Sequence, residues 1–199
     1  MSVEIPWCRV AKIALRPQLF SGNQEGALGG WTLPIPRMGD RFAADIATAQ
    51  LRQDDESRLF AAALMEATTA DGRIQLRLPN VPRQAGFRGA AVDGAGQSGS
   101  TLALRGVTPG VAARRGQYFS IVHGGLHHVH MVRASGAAGA DGRLSVAIWP
   151  MLRFLTADGD ACAFDVPMIE GQLVGFDARG AAFSRNRTEP FEFSIVERG

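Results

Sequence analysis

Several residue types are scarce in this 199-residue chain, and each scarcity excludes a class of protein. Cys8 and Cys162 are the only cysteines, too few for a disulfide framework or a zinc knuckle. No apolar run approaches the ~20 residues that a membrane-spanning helix needs. Residues 1–17 lack a charged segment followed by an apolar one, so no secretory signal is predicted. We expect a soluble protein made in a cytoplasm, with no membrane partner.

The chain also has almost no excess of positive over negative charge. The formal net charge is only +2, and Lys12 is the sole lysine, so no basic block predicts nucleic-acid binding. The few aromatic residues are dispersed and form no stacking platform for bases. Arginine supplies nearly all the basic groups and suits bidentate contacts at interfaces, although a GC-rich genome explains the bias equally well. Composition therefore permits an assembly role without showing one.

Glycine, in contrast, is abundant, with 24 residues where an average chain of this length has about 14. Many glycines between short apolar runs favour a turn-rich β architecture. Strand patterns are predicted at residues 7–19, 31–36, 41–52, 73–78, 101–104, 118–123, 126–132, 143–149, 161–166, 171–176 and 190–196. The sequence thus predicts a mainly β fold, a β-sandwich or barrel-like module with one amphipathic helix and a central hairpin.

The chain divides into three parts that we expect to form one compact domain overall. Residues 1–89 form an N-terminal β part with the helix, and a polar, proline-containing segment at 79–89 marks its boundary. Residues 90–155 form a glycine-rich β-module. Residues 156–199 supply the strands that complete the fold.

One helix is predicted at about residues 54–67. Asp54 is placed to cap its N-terminus, and Asp55 and Glu56 put negative charge where the helix dipole is positive. These three acids are therefore interpreted as capping and solvation rather than as a catalytic cluster. Apolar residues at 3–4 spacing predict one buried stripe, formed by Leu59, Phe60, Ala63, Leu64 and Ala67.

The central hairpin is predicted at residues 118–132. Two strand patterns are separated by exactly two residues, Gly124 and Gly125, and a type I′ turn needs positive φ at both. This register places His123, His128 and His130 on one face, with His127 on the other. Three imidazoles on one face suggest a zinc site, but apolar residues share the face and no nearby acid is evident to orient the ligating rings. A half-buried or subunit-facing sheet surface is the favoured interpretation, and no metal ligand is assigned.

The segment Gly94–Gly99 matches the dinucleotide-binding pattern G-x-G-x-x-G. That motif works only where a helix follows the glycines and its amides face the pyrophosphate. Residues 100–106 have the pattern of a short strand instead, and Arg114 and Arg115 stand where a ribose-binding acid is needed. We therefore predict a glycine-rich connection and no cofactor. No nucleophile motif is present either, so no catalytic residue is assigned and the chain is not expected to be an enzyme.

The central block resembles a pattern in tail proteins of long-tailed bacteriophages. The matching pieces are short and run through most of the chain: Gly96–Gly99, Arg115–Phe119, Ala140–Arg143, Ile148–Arg153 and Phe191–Arg198. The resemblance implies a distal tail or tail-tip protein of the virion, a homohexameric ring that joins the tail tube to the baseplate hub. It supplies no catalytic residue, and the histidine-rich strand is not part of it.

Two other functions are kept as alternatives. Trp31, Trp149 and Tyr118 are candidate stacking surfaces for a carbohydrate-binding module of the host-recognition apparatus, although single aromatic residues usually belong to a core. A histidine-dependent metalloenzyme is the remaining alternative and depends on His123, His128 and His130.

Overall fold

Strands dominate the computed structural model, which describes residues 2–20, 22–26, 29–35, 38–78, 85–176, 180, 182 and 188–198. The strands of these residues are β1 Val3–Glu4, β2 Val10–Gln18, β3 Gly22–Gln24, β4 Leu33–Ile35, β5 Arg41–Thr48, β6 Asp71–Gln75, β7 Ala91–Val92, β8 Gly99–Arg105, β9 Ala112–Ala113, β10 Tyr118–His123, β11 Leu126–Val132, β12 Gly136–Ala137, β13 Leu144–Leu152, β14 Ala161–Ala163, β15 Met168–Val174 and β16 Glu192–Glu197. The helix α1 covers Asp55–Ala67, and a short 3₁₀ turn covers Ala85–Phe87. The mainly β fold with one helix is confirmed.

Two β structures organise these strands. A six-stranded sheet has the order β1-β6-β15-β16-β5-β2, and a closed six-stranded antiparallel barrel has the order β10-β11-β13-β8-β7-β14. The sheet draws its strands from residues 3–75 and 168–197, whereas the barrel uses residues 91–163. Two short ribbons, β3–β4 and β9–β12, complete the pairing. Of the predicted sandwich or barrel, the structure contains the barrel, with the sheet packed outside it.

The helix begins where the sequence predicts. The Asp54 side chain accepts a hydrogen bond of 2.8 Å from the Ser57 backbone N–H, which satisfies one of the free amides of the first turn. The buried face carries Phe60, Leu64 and Ala67, and the Phe60 ring packs against Phe193 of β16. Leu59 was expected in this stripe, but it is 56% exposed. Ser57 and Ala61 are buried instead, because the sheet contacts a face rotated away from Leu59.

The barrel encloses its own apolar core. The Phe119 ring stacks on Phe164 at 4.3 Å, and Phe164 stacks on Phe87 at 4.2 Å. Side chains from every wall fill the remaining space, as is usual in small barrels. The hairpin β10–β11 forms one wall, and both turn residues have positive φ, 58° at Gly124 and 82° at Gly125. The predicted hairpin and its turn are confirmed.

The outer surface of the barrel packs against the sheet. Phe42 of β5 makes edge contacts with Tyr118 and Trp149 of the barrel, at 5.6 and 5.0 Å between ring centroids. Val129 of β11 is fully buried in the same cluster as the helix and sheet residues. A second core therefore lies between the sheet, the helix and the barrel wall.

Several strand boundaries differ from the sequence prediction. The strand predicted at 7–19 begins only at Val10, after Arg9 adopts a φ of +40°. The predicted turn at Asp71-Gly72 belongs instead to strand β6, since both residues pair with β15, and the chain turns at 68–70. The strand predicted at 143–149 continues through Pro150 to Leu152, where its register with β8 shifts; proline is tolerated at such a bulge.

Residues 79–84 of the predicted boundary segment lie outside the described residues. No helix of the described residues is long and apolar enough to cross a membrane.

Candidate functional site

The four histidines of the chain lie on the β10–β11 hairpin, in the predicted register. His123 pairs with Leu126, Ile121 with His128, and Phe119 with His130. The face shared by His123, His128 and His130 points toward the barrel interior, where Phe119, Ile121 and His130 are fully buried. His127 occupies the opposite face, which the sheet covers.

Each histidine is held by a different partner. His123 Nδ1 lies 2.8 Å from Asp160 Oδ2, and its ring stacks on Phe154. His130 Nδ1 donates to the Pro150 carbonyl oxygen at 2.9 Å. Arg153 Nη2 donates to His128 Nδ1 at 3.2 Å, which fixes that nitrogen as unprotonated. Within the described residues, no group of three or more His, Cys, Asp or Glu side chains is arranged to hold a metal ion. Asp160 was not predicted as a partner of His123, because it lies 37 positions away in the chain.

Burial holds two of these imidazoles neutral. It lowers the pKa of His128 to about 3, and the adjacent Arg153 guanidinium adds to this effect. It lowers the pKa of His130 to about 4, and only the hydrogen bond to Pro150 opposes the shift. Both rings are therefore neutral at physiological pH and act as polar packing elements rather than as acids.

Arg153 and Glu197 form a buried ion pair where the barrel meets the sheet. The two side chains are 6% and 1% exposed, and Arg153 Nη2 lies 3.3 Å from Glu197 Oε2. The carboxylate also accepts hydrogen bonds from the Phe42 backbone N–H at 2.9 Å and from the Val129 backbone N–H at 2.5 Å. Burial raises the pKa of Glu197, and the positive charge of Arg153 opposes that rise. One carboxylate of β16 thus connects β5, β11 and the residue that follows β13, which is a structural role.

Ser120, His127 and Glu170 look like a nucleophilic constellation. Ser120 Oγ lies 3.3 Å from His127 Nδ1, but Ser120 is fully buried and its oxygen already accepts from the Met168 N–H. Glu170 accepts from the backbone N–H of His127, not from its ring. An incoming substrate has no path to this hydroxyl, and the carboxylate does not orient the imidazole as a catalytic base requires.

The glycine segment Gly94–Gly99 leads directly into strand β8, so no helix N-terminus faces it. Gln97 fills the loop: its Nε2 donates to the carbonyls of Asp93 and Ala103, and its Oε1 accepts from the Ala103 N–H. The backbone N–H of Gln97 donates to Thr156 Oγ1. Some of the backbone amides that a phosphate would need therefore already donate to groups of the protein itself.

Neither cysteine is a reactive thiol. Cys8 and Cys162 are free and buried, and burial raises the pKa of both, that of Cys162 to about 12. A thiolate is the nucleophilic form, so both side chains behave as small apolar residues.

The most unusual exposed surface is an arm between β2 and β5, which we define as the described residues of 19–38. It contains the ribbon β3–β4, and its base is fixed where the Phe20 backbone N–H donates to Asp40 at 2.8 Å. Trp31 at its end is 97% exposed, and further large apolar side chains are exposed along it: Leu19, Leu33, Ile35 and Met38. Several large exposed apolar side chains in one short segment are typical of an interaction surface.

A second exposed apolar surface follows helix α1. Leu59, Ala62 and Met65 are exposed at a spacing of three residues, and we call them the α1 stripe. One groove of about 530 Å³ lies beside it along Arg58, Ala61 and Thr188. Another of about 430 Å³ lies on the β1 side, along Val3 and Pro6. The sequence prediction placed Leu59 in the core, so this exposed surface was not predicted. Met65 continues the three-residue spacing of Leu59 and Ala62, and that spacing could have revealed the stripe.

The three aromatic residues considered for carbohydrate stacking are separated by the fold. Trp149 and Tyr118 pack on Phe42 between the barrel and the sheet. Only Trp31 is available to a ligand. The chain matches no known protein-family model, and no curated protein is significantly similar to it in sequence.

Proposed function

We propose that this protein is a structural subunit of a bacteriophage tail tip, a distal tail component that assembles into a ring between the tail tube and the baseplate hub. Exposure of the arm is the observation that carries the proposal. The resemblance of residues 96–153 and 191–198 to phage tail proteins supplies the biological setting: a virion component, made in the host cytoplasm, that forms a homohexamer.

The arm has the properties of an assembly element. An aromatic side chain buries roughly 150–250 Å², so Trp31 alone offers on the order of 5 kcal/mol of hydrophobic stabilisation at ~25 cal/mol per Å². The loss of entropy on association and on ordering of the arm offsets part of this stabilisation. Truncated interface anchors of this kind commonly weaken binding by 2 kcal/mol or more, which is about a 30-fold loss of affinity.

The polar groups of the hairpin favour a structural role over a catalytic one. Each histidine ring has a partner, and the Arg153–Glu197 pair connects the two β structures. A ring subunit needs a rigid body that carries projecting contacts, because a head-to-tail ring closes only at a fixed rotation. The barrel and the sheet provide that body, and the arm provides the contact.

Light scattering coupled to size-exclusion chromatography of the full chain, over a wide concentration range, tests the proposal. We expect one closed oligomer for the unmodified protein and at least a 30-fold shift of its assembly midpoint for Trp31→Ser. Leu155→Ser is the matched control, because Leu155 is an equally apolar residue on the barrel side, 67% exposed. A strictly monomeric protein at the highest concentration, together with its absence from purified phage tails, would overturn the proposal.

A carbohydrate-binding module remains the second candidate, since the exposure of Trp31 suits sugar stacking as well. Glycan-array binding by the unmodified protein that disappears in Trp31→Ser, with no change in oligomeric state, favours this candidate. Loss of assembly without any glycan signal favours the ring subunit.

A further inference from the structure

We propose that the arm of one copy seats Trp31 in the groove between β1 and α1 of the next copy, a head-to-tail contact that rests on the proposed ring function. The donor is the arm end at Trp31. The acceptor is the groove of about 430 Å³ lined by Val3, Pro6, Leu59, Ala62 and Ala63, together with the carboxylates of Glu4 and Glu66.

The chemistry of the groove fits an indole. Apart from Glu4, whose carboxylate is paired with Arg73 at 2.9 Å, its walls are apolar or small. Leu59 and Ala62 of the α1 stripe are exposed without any cover from the rest of the described chain. An indole has an apolar body and one N–H donor that requires an acceptor when it is buried. The carboxylate of Glu66, also exposed, stands at the rim as that acceptor. The groove is open to solvent, so a side chain from another copy can enter it.

The sheet keeps donor and acceptor apart within one chain. The arm connects β2 and β5 at one edge of the six-stranded sheet, whereas β1 is the opposite edge strand. Five inter-strand steps of ~4.8 Å separate β1 from β2 by about 24 Å. Because the two surfaces are different and lie on opposite edges, successive copies join heterologously, and such contacts generate rings or open filaments.

The outer face of the sheet is a poorer acceptor. A groove of about 380 Å³ there includes Lys12, Asp45 and Glu192, and an apolar arm would desolvate these charged groups without pairing them.

The size of the arm also favours a protein as its binding partner, and a second copy of this chain offers the matching groove. Trp31 supplies roughly a quarter of the ~800 Å² that each partner buries in a standard interface. The apolar side chains of Leu19, Leu33 and Met38 extend the same surface.

Cysteine cross-linking between two differently labelled full-length variants tests the contact. Thr32→Cys places a thiol next to Trp31 while keeping the indole, and Ala62→Cys places one in the groove; both positions are exposed. Leu155→Cys, on the barrel, is the control. The native Cys8 and Cys162 are buried and contribute little background. A short thiol-specific cross-linker is added to mixtures at the assembly concentration, and cross-linked pairs are counted by mass.

We expect the Thr32→Cys and Ala62→Cys mixture to yield at least ten times more cross-linked pairs than Thr32→Cys mixed with Leu155→Cys. Neither variant alone should cross-link to itself at that level. Self-linking of Thr32→Cys to the same extent overturns the inference in favour of arm-to-arm pairing. Assembly by light scattering without any excess of the mixed pair also overturns it, while the ring proposal stands. Complete absence of assembly overturns both.

Discussion

The buried carboxylate of Glu197 allows a sharp test of how the barrel is joined to the sheet. In Glu197→Gln the side chain keeps its shape but loses its charge and one of its two acceptor oxygens. The native carboxylate accepts the backbone N–H groups of Phe42 and Val129 on its two oxygens and contacts Arg153 at 3.3 Å. The amide satisfies only one of the two N–H groups, and it leaves the Arg153 guanidinium without a counter-charge.

The structure sets the magnitude of this effect. One buried N–H without an acceptor costs about 1–3 kcal/mol, and removal of one partner from a buried ion pair costs about 3–5 kcal/mol. These costs overlap, so we expect the free energy of unfolding to fall by about 3 kcal/mol. For a chain of this length that is a Tm decrease of roughly 6–12 °C. It is a large share of the 5–15 kcal/mol of total stability that is typical of a folded protein.

Urea unfolding followed by tryptophan fluorescence measures the change, because Trp149 lies at this junction. Glu192→Gln is the matched control: it removes an exposed carboxylate from the same strand, and such surface changes stay within about 0.5 kcal/mol. Adding Arg153→Met to Glu197→Gln should cost less than the sum of the two single changes. If Glu197→Gln and Glu192→Gln lower the free energy of unfolding equally, the ion pair does not hold the barrel to the sheet.

Two further predictions concern the buried polar groups. The pKa values of His128 and His130 are about 3 and about 4 in the folded protein, below the ordinary value near 6.5. At a pH between the folded and the ordinary value, the unfolded chain therefore binds more protons than the folded one. Stability is therefore lost as the pH falls below about 6.5, by about 4 kcal/mol at pH 5 for both groups together. Burial raises the pKa of Glu197, so the contribution of this carboxyl group to the stability of the fold increases as the pH falls and offsets part of the loss. Urea midpoints at pH 8 and pH 5 measure the slope, and an equal slope in a His128→Gln/His130→Asn variant would refute the assignment. Separately, Cys8 and Cys162 should be unreactive toward a chromogenic disulfide reagent in the native state and fully reactive in urea. Rapid native labelling of either would contradict their burial.

The elements predicted correctly from the sequence are those with local determinants. The Gly124-Gly125 pair specifies the hairpin turn by itself, and its two-residue length fixes the cross-strand register of all four histidines. The N-terminus of α1 follows from Asp54 and the acids behind it. In both cases the residues that decide the structure lie within a few positions of one another.

The remainder depends on contacts between distant segments. Closure of the barrel requires the short strand β14 to pair with both β10 and β7. The pattern at 161–166 predicts a strand there, but no local feature identifies its two partners. The partners of the hairpin histidines and amides, Asp160, Glu170 and Glu197, come from segments 37 to 68 positions away. Leu59 matched a buried helix position by spacing alone. The spacing predicts most of the buried face of α1 correctly, but the limits of that face depend on the sheet residues that it meets, such as Phe193.

Native mass spectrometry of the full-length protein shows whether the chain is a ring subunit assembled through its arm. We expect one dominant species of six copies of the 21.2 kDa chain and its dissociation to monomers in Trp31→Ser but not in Leu155→Ser. A protein that stays monomeric at every concentration, or an oligomer that Trp31→Ser leaves intact, would contradict it.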